Sequence, residues 1–169
     1  MTTYVALLRA VNVGGACKLP MTDLRAMCEA AGFTGVRTYI ASGNAVFRAE
    51  ASEATVKAAL ETALAAYAGK PVGVCVRGAA EIAKVLAANP FADAAPNRVV
   101  AIFLDAPAPA DALAQAKGQA LEQMALGRRE IYVHYGAGMA HSRLRIPAAA
   151  AGTARNMNTV AKLAEMAAD

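Results

Sequence analysis

The first half of the chain alternates short apolar runs with amphipathic segments. Residues 4–11 form a continuous apolar run interrupted only by Arg9, which is typical of a central strand. Apolar residues at helical spacing then predict a helix that starts at Pro20 and is ended by Gly32. Strands are predicted at 36–40, 45–48 and 71–77, with a helix between the last two that Ser52 caps. The predicted order is β-α-β-β-α-β.

The second half nearly repeats this order with weaker patterns. Its predicted elements are a helix at 79–88, strands at 99–104 and 131–135, a helix at 110–124, a short strand within 139–146, and a helix at 159–167 capped by Asn158. We therefore predict an α+β fold with duplicated ferredoxin-like βαββαβ-type halves, mostly antiparallel sheets covered by helices. Residues 1–78 form one half and residues 79–169 the other, packed as a single compact unit.

Composition excludes two classes of protein. The chain has 169 residues, of which 57% are hydrophobic and 18% charged, with a mean hydropathy of +0.33. This apolar content excludes intrinsic disorder. Much of the apolar content is alanine, and charged or turn residues interrupt every window before the ~20 apolar residues of a membrane span. Because the N-terminus shows no signal-peptide pattern, we expect a cytoplasmic protein with no membrane partner.

The cysteines and histidines do not predict a cofactor or a metal site. The three cysteines, Cys17, Cys28 and Cys75, are odd in number and widely spaced, with no C-x-x-C pair. Only two histidines are present to complete a metal site. We expect reduced thiols, no disulfide, no metal and no cofactor.

Positive charge is concentrated at the two ends of the chain. Residues 1–48 carry five basic and two acidic side chains, residues 49–126 six and eight, and residues 127–169 six and three. If the basic ends meet in space, they form a patch suited to a phosphate or another anion. The alternative is that these are solvated surface charges.

The loop after the first strand is the first candidate site. Its sequence, V-N-V-G-G-A-C-K-L-P, places Gly14 and Gly15 between a strand and a helix N-terminus, where backbone N–H groups bind anions. Lys18 adds a positive charge. The loop matches neither the P-loop nor the dinucleotide-binding pattern. The alternative is that the two glycines serve only a tight turn.

Two further segments carry polar side chains suited to a ligand. Ser42 and Asn44 flank a glycine in a predicted hairpin turn that could approach the first loop, although the same residues are common in hairpins that bind nothing. Arg155 lies close to the N-terminus of the last helix, where a cation is unfavourable. A bound anion, or an internal carboxylate, would explain its position.

The sequence contains few residues arranged for catalysis. Cys17 lies in a loop before a helix, beside Lys18, where a thiolate is favoured, but nothing in the sequence places a base near it. His134 and His141 flank a glycine-rich turn, and His134 fits a half-buried strand position. Whether the protein is an enzyme stays open.

The motifs named above resemble a bacterial family known as domain of unknown function 1697. The matching stretches are residues 4–15, 18–25, 36–47, 142–144 and 153–163. The resemblance implies an α+β fold with duplicated ferredoxin-like halves, and no established activity. It places the family's motif positions on Arg9, Asn12, Gly14, Gly15, Lys18, Ser42, Gly43, Asn44, Arg155, Asn156 and Asn158. The chain departs from the family at Met157, where a tryptophan is usual, and at Arg143, where a lysine is usual.

These observations favour a protein that binds a phosphate-bearing or other anionic small molecule between its basic ends. The ligand-binding residues would be Arg9, Asn12, Gly14, Gly15, Lys18, Ser42, Asn44, Arg155, Asn156 and Asn158. The alternatives are association with nucleic acid, an enzyme that uses Cys17, and a homo-oligomeric scaffold without a ligand. We expect a monomer or a homodimer.

Overall fold

The computed structural model describes residues 1–13, 17–136 and 141–168. Within these residues the elements are β1 (Thr2–Leu8), α1 (Met21–Ala30), β2 (Thr34–Thr38), β3 (Asn44–Ala49), α2 (Glu53–Ala68), β4 (Val74–Gly78), α3 (Ala79–Ala87), β5 (Val99–Phe103), β6 (Gln123–Leu126), β7 (Glu130–His134), β8 (Thr153–Asn156) and α4 (Met157–Ala167). The strands form two four-stranded antiparallel sheets. A mixed α+β fold is therefore confirmed.

The chain divides into two compact units. The first contains residues 1–82 and the C-terminal residues from Leu163 onward, and the second contains residues 83–162. The division falls inside α3 and again inside α4. Each unit contains one of the two sheets.

The first sheet is built around β1, in the order β2-β3-β1-β4. Residues 4–8 of β1 are no more than 7% exposed. A strand buried on both faces has no polar alternation, which is why this segment is a continuous apolar run. One face carries a core shared with the first two helices, formed by Tyr4, Ala6 and Leu8 of β1, Leu24 and Cys28 of α1, and Val56, Leu60 and Leu64 of α2.

The end of α1 explains how the chain turns back to the sheet. Gly32 has a φ of +91°, and its N–H donates to the carbonyl of Glu29 at 3.0 Å. The N–H of Phe33 donates to the carbonyl of Cys28 at 3.1 Å. These two bonds form a Schellman motif. Phe33 then stacks on Phe47 of β3 with ring centroids 4.5 Å apart, which anchors the connection to the sheet.

The second sheet has the order β6-β7-β5-β8, so β7 and β5 are its inner strands, and β5 is buried along its whole length. One face carries a smaller core of Val100, Ile102, Leu104, Ile131 and Val133. Side chains from irregular segments pack on this core, among them Leu113, Leu144 and Ile146. Irregular chain therefore packs on this face, whereas two helices pack on the first sheet.

The predicted helix at 110–124 is wrong. Residues 110–115 form turns, and β6 begins at Gln123. Gly118 has a φ of +73°, which no right-handed helix accommodates. Leu121, one of the apolar residues on which the helix prediction rested, is 89% exposed. The weak apolar pattern of this segment does not form a continuous face, so nothing stabilises a helix here.

The C-terminal elements also differ from the prediction. Strand β8 was not predicted, because its two inward residues, Thr153 and Arg155, are polar and give no apolar alternation. The short strand predicted within 139–146 lies partly outside the described residues. In its described part, Arg145 forms an isolated antiparallel bridge with Lys117.

Two helices begin at side-chain caps. Ser52 Oγ accepts a hydrogen bond from the N–H of Thr55 at 3.2 Å, which confirms it as the cap of α2. Asn156 Oδ1 accepts from the N–H of Thr159 at 3.0 Å, so Asn156 caps α4 and the prediction of Asn158 is wrong. The helix starts at Met157, directly after β8, and this earlier start moves the cap by two positions.

Replacing either cap with alanine is expected to lower the free energy of unfolding by about 1 kcal/mol, because one helix N–H loses its acceptor. Equilibrium unfolding in urea of Ser52→Ala and Asn156→Ala measures the loss. Asn158→Ala is the matched control, since Asn158 is exposed, and it should change stability by less than about 0.5 kcal/mol. A loss at Asn158 equal to that at Asn156 would contradict the assignment.

Candidate functional site

The candidate site of the first unit lies where β1 ends beside the β2–β3 turn. Because β1 and β3 are antiparallel, with Leu7 opposite Asn44, the loop after β1 and the turn before β3 meet at one end of the sheet. The N–H of Leu8 donates to the carbonyl of Gly43 at 2.9 Å. The expectation that these two loops approach each other is confirmed. We refer to the described residues of 9–20 and 39–44 as the loop site.

Asn12 ties the loop site together. Its Nδ2 donates to the carbonyls of Leu19 and Ala41, both at 2.8 Å, and its Oδ1 accepts from the N–H of Leu19 at 2.7 Å. Its own N–H donates to the carbonyl of Cys17 at 2.7 Å. The side chain therefore closes the first loop on itself and joins it to the turn. Asn12 therefore positions the loops, and its side-chain amide is already hydrogen bonded within the protein.

The turn between β2 and β3 is also fixed by hydrogen bonds and close packing. Asn44 is fully buried, and its Nδ2 donates to the Tyr39 carbonyl at 2.9 Å and to Ser42 Oγ at 3.2 Å. Gly43 has a φ of +94°, and a Cβ on it would lie 2.6 Å from Val11 Cγ2 and 2.9 Å from Leu8 Cβ. Only glycine permits this close approach of the turn to the end of β1.

Backbone strain is concentrated in the loop site. Three non-glycine residues of the described chain have positive φ, namely Ala10 at 55°, Asn12 at 55° and Ile40 at 51°. Asparagine tolerates this conformation, but a β-branched residue such as Ile40 rarely adopts it. Ile40 is also 48% exposed, so its side chain does not offset the strain through burial. No pattern in the sequence predicted this strain.

The two cations of the loop site are exposed. The N–H of Arg9 donates to the carbonyl of Gly73 at 2.9 Å, which fixes the backbone at the end of β1. Lys18 forms no hydrogen bond or ion pair with any residue that the structure describes. The predicted ligands Gly14 and Gly15 lie outside the described residues.

Cys17 is half-buried against the first core. In the described part of the chain no side chain forms a hydrogen bond with its thiol. Tyr67, near the end of α2, is 44% exposed, and its hydroxyl donates to Asp23 Oδ2 at 2.8 Å. That hydrogen bond raises the pKa of Tyr67, with smaller contributions from lost solvation and from electrostatic interactions with Asp23 and Cys17. By contrast, burial raises the pKa of Cys28 to about 12, so this thiol stays protonated.

The remaining predicted residues lie in the second unit. Arg155 is 7% exposed in β8, and its Nη1 donates to Thr153 Oγ1 at 2.8 Å and to the carbonyl of Ala154 at 2.9 Å. Both acceptors belong to β8 itself, so these bonds hold the guanidinium against its own strand. Asn156 is the cap of α4, and Asn158 is exposed.

His134 lies beside a glutamine and an aromatic ring. His134 Nδ1 lies 3.3 Å from Gln123 Oε1, and the ring is 5.8 Å from that of Phe91. Over residues 1–13, 17–136 and 141–168, no group of three or more His, Cys, Asp or Glu side chains could hold a metal ion. In the same part of the chain, every helix is too short or too polar to cross a membrane.

Comparison with known proteins gives a family and a fold. The model of the family described as "Protein of unknown function (DUF1697)" matches residues 1–132. The conserved bacterial protein SP0830 from Streptococcus pneumoniae has a similar structure, with a TM-score of 0.81, 24% sequence identity and coverage of 98% of both chains. At this identity the likeness shows the fold alone. No curated protein matches the chain significantly. The match covers most of the chain, which therefore belongs to the family of proteins of unknown function called DUF1697.

Proposed function

We propose that the protein binds a small anion, such as a phosphate ester, at the loop site. The observation that carries this proposal is the strain at Ala10, Asn12 and Ile40, which all lie in these two loops. Residues in sparsely populated backbone conformations cost about 1–3 kcal/mol each and persist where function requires a particular geometry. Hydrogen bonds of the Asn12 side chain hold both loops in this strained conformation. The loops are therefore preorganised, and a ligand would not have to order them on binding.

The charge of these loops favours an anionic ligand. No Asp or Glu occurs in residues 1–22 or 36–44, whereas Arg9 and Lys18 lie at the two ends of the first loop. Lys18 is exposed and forms no ion pair within the described chain. A small anion would give this cation the partner that the loops do not supply.

The residues of the loop site would then have different roles. Lys18 and Arg9 would contact the anion. The contribution of Gly14 and Gly15, which lie outside the described residues, stays a prediction. Asn12 and Asn44 would position the loops, since their amides are already hydrogen bonded. The contribution of Arg155, Asn156 and Asn158 to this ligand stays a prediction.

Isothermal titration with inorganic phosphate and with adenosine monophosphate tests the proposal. We expect Lys18→Ala to weaken binding about tenfold, which corresponds to the loss of one charge-assisted hydrogen bond. Lys84→Ala is the matched control, because Lys84 is an exposed lysine of α3 and its loss removes the same charge outside the loop site. If Lys18→Ala and Lys84→Ala weaken anion binding equally, the effect comes from the net charge of the protein and not from a contact of Lys18 with the anion. Absence of heat with either anion would overturn the proposal.

The alternative functions have less support. Ferredoxin-like RNA-binding modules use aromatic residues on an open sheet face, whereas β1 and β5 are buried on both faces. Nucleophilic chemistry at Cys17 would need a base, and the described residues place none against the thiol. Nucleic-acid association and catalysis at Cys17 stay predictions without an observation that favours them.

We also propose that the two units are duplicated ferredoxin-like halves. Within each unit the strands follow the same order, in which the first strand lies between the third and the fourth and the second lies at an edge. The second unit would have replaced the helix between its first two strands with the irregular segment 105–122. The division at residues 78 and 79 and the cytoplasmic location stay predictions.

A further inference from the structure

A second candidate site lies in the second unit, on the face of the sheet that irregular segments cover. An open cavity of about 350 Å³ is lined by Ile102, Tyr135, Leu144, Arg145, Ile146, Pro147, Ala149 and Ala150. This volume lies in the range of small-molecule sites, which starts at ~300 Å³. None of these residues was expected to bind a ligand.

The cavity follows from the way this face is covered. Ile102 lies on β5 but is 8% exposed, whereas Val99, Ala101 and Phe103 of the same strand are fully buried. The segment that packs above it carries a short 3-10 turn, Pro147–Ala149, with small side chains. Small residues on a connecting segment leave part of the apolar sheet surface uncovered. The floor of the cavity at Ile102 is therefore apolar, whereas Tyr135 and Arg145 bring polar groups to its lining.

The backbone pairing of Lys117 with Arg145 places two positively charged residues next to each other beside this cavity. Lys117 and Arg145 are partners in an antiparallel bridge, with N–H to carbonyl distances of 2.8 Å and 2.7 Å in the two directions. Directly opposite residues in such a pair project to the same side, where like charges destabilise the pairing. Both residues are exposed, and the described chain supplies neither with a carboxylate partner.

The surrounding polar groups fit a negatively charged head group. Burial raises the pKa of Tyr135, with a further contribution from the charge of Glu122, so its hydroxyl stays a neutral donor. Glu122 is close enough to Tyr135 to affect it, and its carboxylate is already bonded. Ser142 Oγ donates to this carboxylate at 2.5 Å and the N–H of Ala120 donates to it at 2.6 Å. These bonds lower its pKa and satisfy its charge. The cations Lys117 and Arg145 have no comparable partner among the described residues.

We propose that this cavity binds an amphiphilic monoanion, such as a medium-chain carboxylate. Its apolar tail lies on Ile102, Leu144 and Ile146, and its head group binds Arg145, with Lys117 supplying a second positive charge. The ligand offsets the repulsion in the Lys117–Arg145 pair and covers the exposed part of the sheet. This site is independent of the loop site, and neither proposal depends on the other.

Titration of the full chain with three eight-carbon probes tests the proposal. Octanoate, octanol and octylamine share a tail and differ in the charge of the head group. We expect octanoate to bind about tenfold more tightly than octanol, as one charge-assisted bond to Arg145 implies, and octylamine not to bind. Arg145→Ala should weaken octanoate to the level of octanol and leave octanol unchanged. Ala150→Phe, at an exposed lining residue, should block both probes.

Arg128→Ala is the matched control. Arg128 is an exposed arginine in the turn before β7, whereas Tyr135 follows the other end of that strand. Its loss should leave octanoate affinity unchanged, and thermal melting of each variant checks that it is folded. Equal binding of octanoate and octanol, an equal effect of Arg128→Ala and Arg145→Ala, or no binding of any probe would each overturn the proposal.

Discussion

Replacing Asn12 with alanine is expected to lower the free energy of unfolding by about 3 kcal/mol and to abolish phosphate binding at the loop site. The side chain forms three hydrogen bonds, each worth about 1 kcal/mol net, and the N–H of Leu19 would lose its acceptor. Without the bond to Ala41, the first loop and the turn are no longer joined by this side chain. Urea unfolding and isothermal titration with phosphate measure the two effects.

Two further variants separate the hydrogen bonds from the backbone conformation. Asn12→Gly removes the same bonds but accepts the φ of 55° without strain, so it should be more stable than Asn12→Ala by up to about 1 kcal/mol. Asn12→Asp keeps the acceptor for Leu19 but places a carboxylate against two carbonyl oxygens, and it should be as destabilised as Asn12→Ala. Unchanged phosphate affinity in Asn12→Ala would show that the anion binds elsewhere.

Replacing Arg77 with alanine is expected to destabilise the first unit by about 3 kcal/mol, because a buried arginine is removed from an ion pair whose glutamate side chain is 20% exposed. Arg77 lies in β4 and is 1% exposed, with its Nε 3.3 Å from Glu81 Oε2 and its Nη1 donating to the carbonyl of Val76 at 3.1 Å. The substitution leaves Glu81 without this partner and opens a cavity. Equilibrium unfolding in urea measures the loss.

The pair Arg25–Glu29 provides a matched control for this prediction. It has the same residue types at the same spacing, with a distance of 3.6 Å, but its side chains are 60% and 54% exposed. Arg25→Ala should therefore cost about 0.5 kcal/mol or less. The double variant Arg77→Met with Glu81→Leu should recover most of the lost stability, because it removes both charges. Equal losses in Arg25→Ala and Arg77→Ala would show that burial of the pair does not matter.

The first unit could be predicted from the sequence because its local signals agree. The continuous apolar run at residues 4–8, the capping serine at Ser52 and the glycine at Gly32 each specify a local structure without help from distant residues. The second unit lacks such agreement. The interior positions of β8 are polar, and the segment before β6 has no apolar face, so their structures depend on contacts with residues far along the chain.

The candidate sites divide in a similar way. The sequence identified the residues of the loop site, because glycines, asparagines and cations cluster in two short segments. It did not assign their roles: Asn12 and Asn44 were expected to bind a ligand, and their amides are instead hydrogen bonded within the protein. Nor did it predict the strain at Ile40 or the cavity beside Arg145, since both arise from how segments distant in sequence pack.

By itself, the sequence determined the class of fold, the boundaries of most elements in the first unit, and the concentration of positive charge in the terminal segments. These properties depend on local periodicity and composition, which can be seen directly in the order of the residues. The tertiary structure decided which polar side chains form hydrogen bonds within the protein and where the backbone is strained. It also decided which cations have no partner in the described chain. Those outcomes depend on pairings between distant residues, such as Asn12 with Ala41 and Lys117 with Arg145, which no local pattern encodes.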